Sequence, residues 1–277
     1  MSLKFFLIVL ILLSNLAHAN LEHVLSTKPL YEFGVAAGAG YIPDYPASNQ
    51  GRVRSIAIPQ FRYRGLRLRS DEEDNFKARL MRNAVYGIDV SGGGAFSAKS
   101  DKNEARKGMR DLDWVGEFGP RFYVFLVKTE KLWVRLFFPV RVAFSTDITS
   151  ATYQGLVFAP AFNARYYFDQ TKFNSVIFSV TRTHTTHQQQ EYYFQVDRRD
   201  VTAKRPEYDA RSGYMSTYAG AAYIYEKDEI GIYFGANVTS YKGAANAGSP
   251  LHKSDYTYAA FAGVSWLFYQ SEERGYQ

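Results

Sequence analysis

Few residues in this chain combine the type and spacing that catalysis or metal binding needs. His184 and His187 form an H-x-x-H pair, which on a helix can seed a metal site, but no acid or cysteine is placed nearby to complete the ligand set. Asp71-Glu72-Glu73-Asp74 offers oxygens for a divalent cation, yet consecutive acids on an extended segment point to opposite sides and do not converge. Both sets read as solvated loop residues. A serine nucleophile needs a histidine and an acid or amide to meet it; serines are plentiful, and none stands in a nucleophile-type context. Gly92-Gly93-Gly94 lacks the helix and the spacing of a phosphate-binding loop. No zinc cluster or nucleic-acid signature occurs. The expectation is a chain with no catalytic residue, no cofactor, no metal and no nucleic-acid partner.

What remains is a set of charges in alternating sequence. Glu117 and Arg121 lie opposite Phe118, Phe122 and Val124 in residues 114–127. Arg135 and Arg141 lie opposite Leu132, Val134, Leu136, Phe138, Val140, Val142 and Phe144, and Arg165 lies opposite Phe162, Tyr166 and Phe168. A period of two over such lengths means strands with unlike faces. If the apolar face meets lipid, cations are too costly there, so these five residues line a lumen. They serve either as a salt-bridged plug or as an anion-favouring constriction. The plug is favoured, because large side chains leave little room in a barrel of this size.

The elements that position these charges are all strands. Residues 214–268 read as strand, tight turn, strand, long loop and closing strand. Ile230, Ile232, Phe234, Ala236 and Val238 share one face of the middle strand, and Tyr256, Tyr258, Ala260, Ala262, Val264, Trp266 and Phe268 one face of the last. Earlier candidates are residues 31–41, 53–63 (with a bulge or break expected at Pro59), 85–96, 114–127, 132–144, 156–168 and 174–182. Short turns near 128–131, 169–172 and 226–229 alternate with long connections near 97–113, 146–154, 183–213 and 242–254, as when periplasmic turns are tight and external loops extended. Both termini fall on the short-turn side only if the strand number is even. That requires residues 66–82 to supply two short strands, giving an up-and-down antiparallel transmembrane β-barrel of about twelve strands, with about ten as the alternative.

Composition agrees with a barrel. Aromatic residues make up 17% of the chain and mean hydropathy is only -0.29, as expected when apolar side chains face lipid and polar ones a lumen. Aromatics gather at strand ends, where a wall meets the headgroups. The chain has no cysteine, so it is neither a disulfide scaffold nor a lipoprotein. Lys4, the apolar run over residues 5–13 and Ala17-His18-Ala19 make residues 1–19 a cleaved export leader, which takes the net charge from +6 to +5 by removing one lysine and no acid. Residues 20–30 form a periplasmic lead-in, 31–268 the barrel, and 269–277 a periplasmic tail available to another protein.

Several short motifs recur in a family-like order: Pro43-Asp44-Tyr45-Pro46 after the first strand, Ile58-Pro59 with Tyr63-Arg64-Gly65 in the second, and Tyr192-Tyr193-Phe194-Gln195-Val196. Arg205-Pro206, Tyr208-Asp209-Ala210 and Gly213 follow, then Ser249-Pro250-Leu251 and a closing strand ending Gly263-Val264-Ser265-Trp266-Leu267-Phe268. In this order and spacing the chain resembles the MltA-interacting protein/OmpV (MipA/OmpV) family of outer-membrane proteins. It departs from the pattern at Ala47, where glycine is usual, at Asn246-Ala247-Gly248, and in running beyond Phe268. The resemblance implies an outer-membrane barrel of the Gram-negative cell envelope with no catalytic residues to carry over. Some relatives are scaffolds joining a lytic transglycosylase to a peptidoglycan synthase, and others adhesins or antigens.

The functional expectation is therefore a non-enzymatic, monomeric barrel with a structural or interactive role. Its turns and tail would face murein hydrolases or synthases, and its basic loops lipopolysaccharide or a host surface. A narrow porin-like channel with a basic lumen is the first alternative, and a rim-sited hydrolase the second.

Overall fold

The computed structural model describes residues 25–65, 68–71, 74–78, 81–82, 85–147 and 149–276; the leader and Glu72-Glu73 lie outside the described residues. Segments with a period of two become strands, each pairing antiparallel with its neighbour. They are β1 (Leu25–Pro29), β2 (Tyr31–Pro43), β3 (Gly51–Arg64), β4 (Leu68–Asp71), β5 (Asp74–Ala78), β6 (Met81–Arg82), β7 (Tyr86–Ala95) and β8 (Trp114–Lys128). After them come β9 (Leu132–Thr146), β10 (Ala151–Phe158), β11 (Ala161–Tyr167), β12 (Asn174–Thr185), β13 (Gly213–Lys227), β14 (Ile230–Ser240), β15 (Tyr256–Gln270) and β16 (Arg274–Tyr276). The wall is one sheet that runs from β5 through β4, β3 and β2 to β15, then down in sequence to β7 and β6.

Two features curl this sheet into a barrel. The last wall strand pairs with the first, Trp266 with Val35 and Ala262 with Ala39. The sheet's two ends, β5 and β6, are successive pieces of one stretch of chain; both run antiparallel to their partners in the same sense, and β5 comes within 8 Å of β7. Counting β5 with β6 and β10 with β11 as single interrupted strands, the described wall has twelve strands. Residues 66–82 thus do supply two short strands, with Asp71 and Asp74 paired across their turn. The stretch expected as one strand over 156–168 breaks at Ala159-Pro160, where proline has no N–H to donate; β10 and β11 both lie between β9 and β12.

Register tells inside from outside. Val35, Ile232, Val264, Trp266 and Phe268 fall on the outer face, where Trp266 is 54% and Phe268 59% exposed rather than packed in a core. Pro59 pairs with Val35 and the β2–β3 ladder runs through it with no bulge. Among the described residues β4 pairs with β3 at Tyr63 and Arg64 and does not reach the height of Pro59, so the missing N–H breaks no described bond.

The last strand runs past the expected boundary at Phe268. A bulge after Leu267 shifts the register by one residue, and Tyr269 and Gln270 pair with Phe33 and Glu32. Beyond it the tail is tied to the lead-in: Ser271 N–H donates to Tyr31 O (2.9 Å), Leu30 N–H donates to Glu273 O (2.7 Å), and β16 pairs with β1 in a separate two-stranded ribbon. The first and last described strands, β1 and β16, and the short turns therefore share one end of the barrel.

The seam between β2 and β15 depends on close backbone approach. A Cβ on Gly34 would fall 2.1 Å from the Trp266 carbonyl oxygen, whereas one on Gly248 meets nothing nearer than 3.8 Å. Gly34→Val should therefore lower the fraction of protein that runs as a compact, heat-modifiable band in cold detergent gels, and Gly248→Ala should not. Equal bands for both would show that the seam does not hold the wall closed.

Candidate functional site

The five predicted lumen charges all point inward, and each meets a partner. Arg121 is bidentate on the Asp89 carboxylate, Nε and Nη2 each at 2.9 Å, and its guanidinium lies 4.4 Å over the Phe137 ring. Arg141 Nη1 is 3.2 Å from Glu117 Oε2, and Gly93 makes the room: a Cβ there would fall 2.3 Å from that nitrogen. Arg135 donates to Asn163 Oδ1 (3.4 Å) and lies 4.9 Å from the Phe137 ring. Arg165 donates Nε to Ser175 Oγ (3.1 Å) and places Nη2 3.9 Å from Glu226 Oε2. Charged groups taken out of bulk water need such partners, which is why the pairs are bidentate or shared.

Sequence reasoning missed the other half of this network. Glu226 also accepts from Arg62 Nη2 (2.8 Å) and from the Tyr233 hydroxyl (2.9 Å), while buried Arg64 pairs with Glu32 at 2.5 Å. Arg62 is on β3 and Glu226 on β13, with β2, β15 and β14 between them along the wall, so this pair spans the bore. Asp89 carried a readable signal, an acid between Ile88 and Val90 in an alternating stretch. The Arg62–Glu226 pair carried none, because its members are 164 residues apart on strands that do not touch.

At the other end the long loops fold onto one another. Tyr45, Ala47, Leu112, Tyr193, Phe194, Val196, Tyr241 and Leu251 form one buried core drawn from four connections. Most of the family-motif residues meet here. The Tyr45 hydroxyl donates to Leu251 O (2.8 Å), Ser249 Oγ to Phe194 O (2.8 Å), and Arg205 Nη1 to Ala105 O and Lys107 O (2.9 and 3.1 Å). Asn246 is the central link: its amide donates to Gln190 Oε1 and Arg211 O, each at 2.8 Å, and its oxygen accepts from Arg211 N–H (2.8 Å) and the Tyr208 hydroxyl (3.2 Å). Asp44 ties this cap to the wall by accepting from Arg52, Arg54 and Asn103. Pro43 ends β2 below the cap, Pro250 is half-buried beside Ser249, Pro206 is exposed beside Arg205, and Pro59 stays apart on the wall.

The cap holds a helix, α1 (His187–Phe194), that the sequence did not announce; it buries Gln189, Gln190, Tyr193 and Phe194. The H-x-x-H pair straddles the end of β12 and the start of this helix. His184 Nε2 accepts from Arg182 Nε (3.2 Å), and His187 meets Glu191 at 3.1 Å, so an acid does lie beside the pair, contrary to the sequence expectation, one helical turn on. Among the described residues no three His, Cys, Asp or Glu are grouped as metal ligands. Burial sets the cap's electrostatics: it pushes the Tyr45 hydroxyl up to about 12 and raises Tyr192, Tyr193 and Tyr241, and it lowers Arg106, which donates to Tyr193 O and Arg110 O.

The barrel wall and the convergence of these motifs agree with a match to the family model described as MltA-interacting protein MipA, over residues 35–268. The chain belongs to the MipA family. The match takes in the wall and the cap and leaves out the β1–β16 ribbon. No curated protein matches the chain. Solved structures similar to this MipA-family barrel include a bacterial polysaccharide outer membrane secretin, with TM-score 0.41, 12% identity, and 88% of this chain and 100% of that one covered. The NanC porin matches with TM-score 0.37 and 11% identity over 86% of this chain and 98% of its own. The outer membrane protease OmpT from Escherichia coli gives 0.33 and 9%, over 90% and 99%.

Two outcomes test the cap. Asn246→Ala leaves several buried polar groups unpaired, at roughly 1–3 kcal/mol for each, so native-state proteolysis should cut residues 187–212 faster while the barrel stays folded. Alkali should do the same. The buried tyrosines stay protonated in the closed cap and ionise near their ordinary value of 10.0 once it opens, so opening releases protons and cap stability falls as pH rises from 10.0 towards about 12. Tyrosinate absorbance and loop cleavage should rise together over that range, before the barrel band is lost.

Proposed function

We propose that this protein is a non-enzymatic, monomeric, non-conducting outer-membrane barrel that acts through its two ends. The turn end would hold a murein enzyme, and the long-loop end would meet lipopolysaccharide. The observation that carries the reading is the Arg62–Glu226 pair, which crosses the bore at one end while the loop cap covers the other. A bore crossed and covered in this way favours a plug over an ion path. The murein partner is argued from the family, whose members are described as MltA-interacting proteins, and from the scaffold role that the resemblance implies. The turns and the β1–β16 ribbon give that end a shaped, tied-down surface in place of loose termini. Export through a cleaved leader belongs to the same reading.

In planar bilayers the purified barrel should give no steady conductance steps. A purified murein transglycosylase should bind it on a sensor chip, more weakly when the chain ends after Gln270. Uniform, size-limited steps would favour the channel, and absence of binding to either form would sink the scaffold. Esterase or protease activity lost on replacing a single serine would overturn the non-enzymatic reading.

A further inference from the structure

The outer wall carries a polar patch just below the cap, and it contains a cation. Arg182 follows Val176, Phe178 and Val180 on the outward face of β12 and is exposed. Its guanidinium lies 4.4 Å over the Tyr214 ring, and its Nε donates to His184. Among the described residues nothing accepts from Nη1 or Nη2, and no carboxylate pairs with it. The Tyr214 hydroxyl shares a hydrogen bond with Thr217 (2.7 Å), and the row continues across the wall from Thr217 to Ser240 to Tyr256, over whose ring Lys242 Nζ sits at 5.2 Å. Two cations with aromatic and hydroxyl neighbours thus face outward at the height where strands leave the apolar band.

Directly below, towards the middle of the wall, outward side chains become small. Ala221 on β13 leads by register to Ala236 and Ala260, with Ala219 just above it opposite Val238, and then to a hollow of about 680 Å³ whose outward lining includes Ala37, Ala39 and Ala262. Phe178 and Phe234 stand proud on either side, 46% and 51% exposed. From Ser240 down to the level of Phe234 the wall descends roughly 20 Å at strand rise, a depth comparable to an acyl chain.

We propose that this part of the wall is a binding site for a phosphorylated, acylated glycolipid of the outer leaflet: Arg182 and Lys242 take phosphate, Tyr214 and Thr217 meet sugar hydroxyls, and an acyl chain lies along the alanine track. A guanidinium fork with four unused N–H donors on two nitrogens, beside an aromatic face, suits a bidentate phosphate. The site deepens the lipid partner proposed above and rests on the same orientation, long loops outward, which protease cleavage of residues 187–212 on intact cells checks separately.

The test is native mass spectrometry of barrel refolded in detergent, with added bis-phosphorylated lipid A, its dephosphorylated form, or phosphatidylglycerol. Bis-phosphorylated lipid A should bind about tenfold more tightly than the dephosphorylated form, the effect of charge-assisted hydrogen bonds. Arg182→Ala should remove that preference and Arg182→Lys should keep part of it. Ala219→Phe, which fills the track and alters no charge, should weaken all lipid A binding, and the mobility of each variant in cold gels shows that it folds. No preference in the unaltered protein, or an undiminished one in Arg182→Ala, overturns the site. Equal binding of phosphatidylglycerol overturns its assignment to a glycolipid.

Discussion

Within lipid a backbone amide has no water to turn to, so every N–H and C=O must find its partner in another strand. That constraint organises this protein. It makes β15 return to β2, and it makes β5 and β6, the two ends of the sheet, successive pieces of one stretch of chain. Interruptions in pairing are local. Among the described residues they include the break at Ala159-Pro160, bulges near Gly155, Leu126, His184 and after Leu267, and the lengths of β3 and β7 that the short β4 and β6 do not reach.

Once the sheet is closed, alternation separates two environments. The outer face is apolar and simple, and the inner face must solve an electrostatic problem in a confined space. It does so by pairing: Asp89 with Arg121, Glu117 with Arg141, Glu32 with Arg64, and Glu226 with both Arg62 and Arg165. Aromatic rings complete the inner surface, with Phe137 meeting both Arg121 and Arg135. Glycines such as Gly93 give these large side chains somewhere to go.

What was legible in the sequence follows from the same physics. The strand over Leu132–Thr146 and the closing strand could be read because a period of two is a local property, and so could the inward aspect of Arg135, Arg141 and Arg165. The partners were less accessible, since a pair such as Arg62–Glu226 is fixed only when the sheet bends round. The cap was hidden for a different reason. Its four connections have no periodicity, and α1 is a polar HQQQEYYF run whose burial depends on its neighbours. The motifs marked the right residues, Tyr45, Tyr193, Arg205 and Ser249, without revealing that they touch. The tail looked unattached because three residues of β16 carry no pattern that names β1 as their mate.

That small ribbon bears on how the molecule is finished. Its two strands come from opposite ends of the described residues, while Arg64 lies between, donating to Pro29 O and crowding Gly275. A chain cut short before β16 would have every wall strand and still lack its fastening.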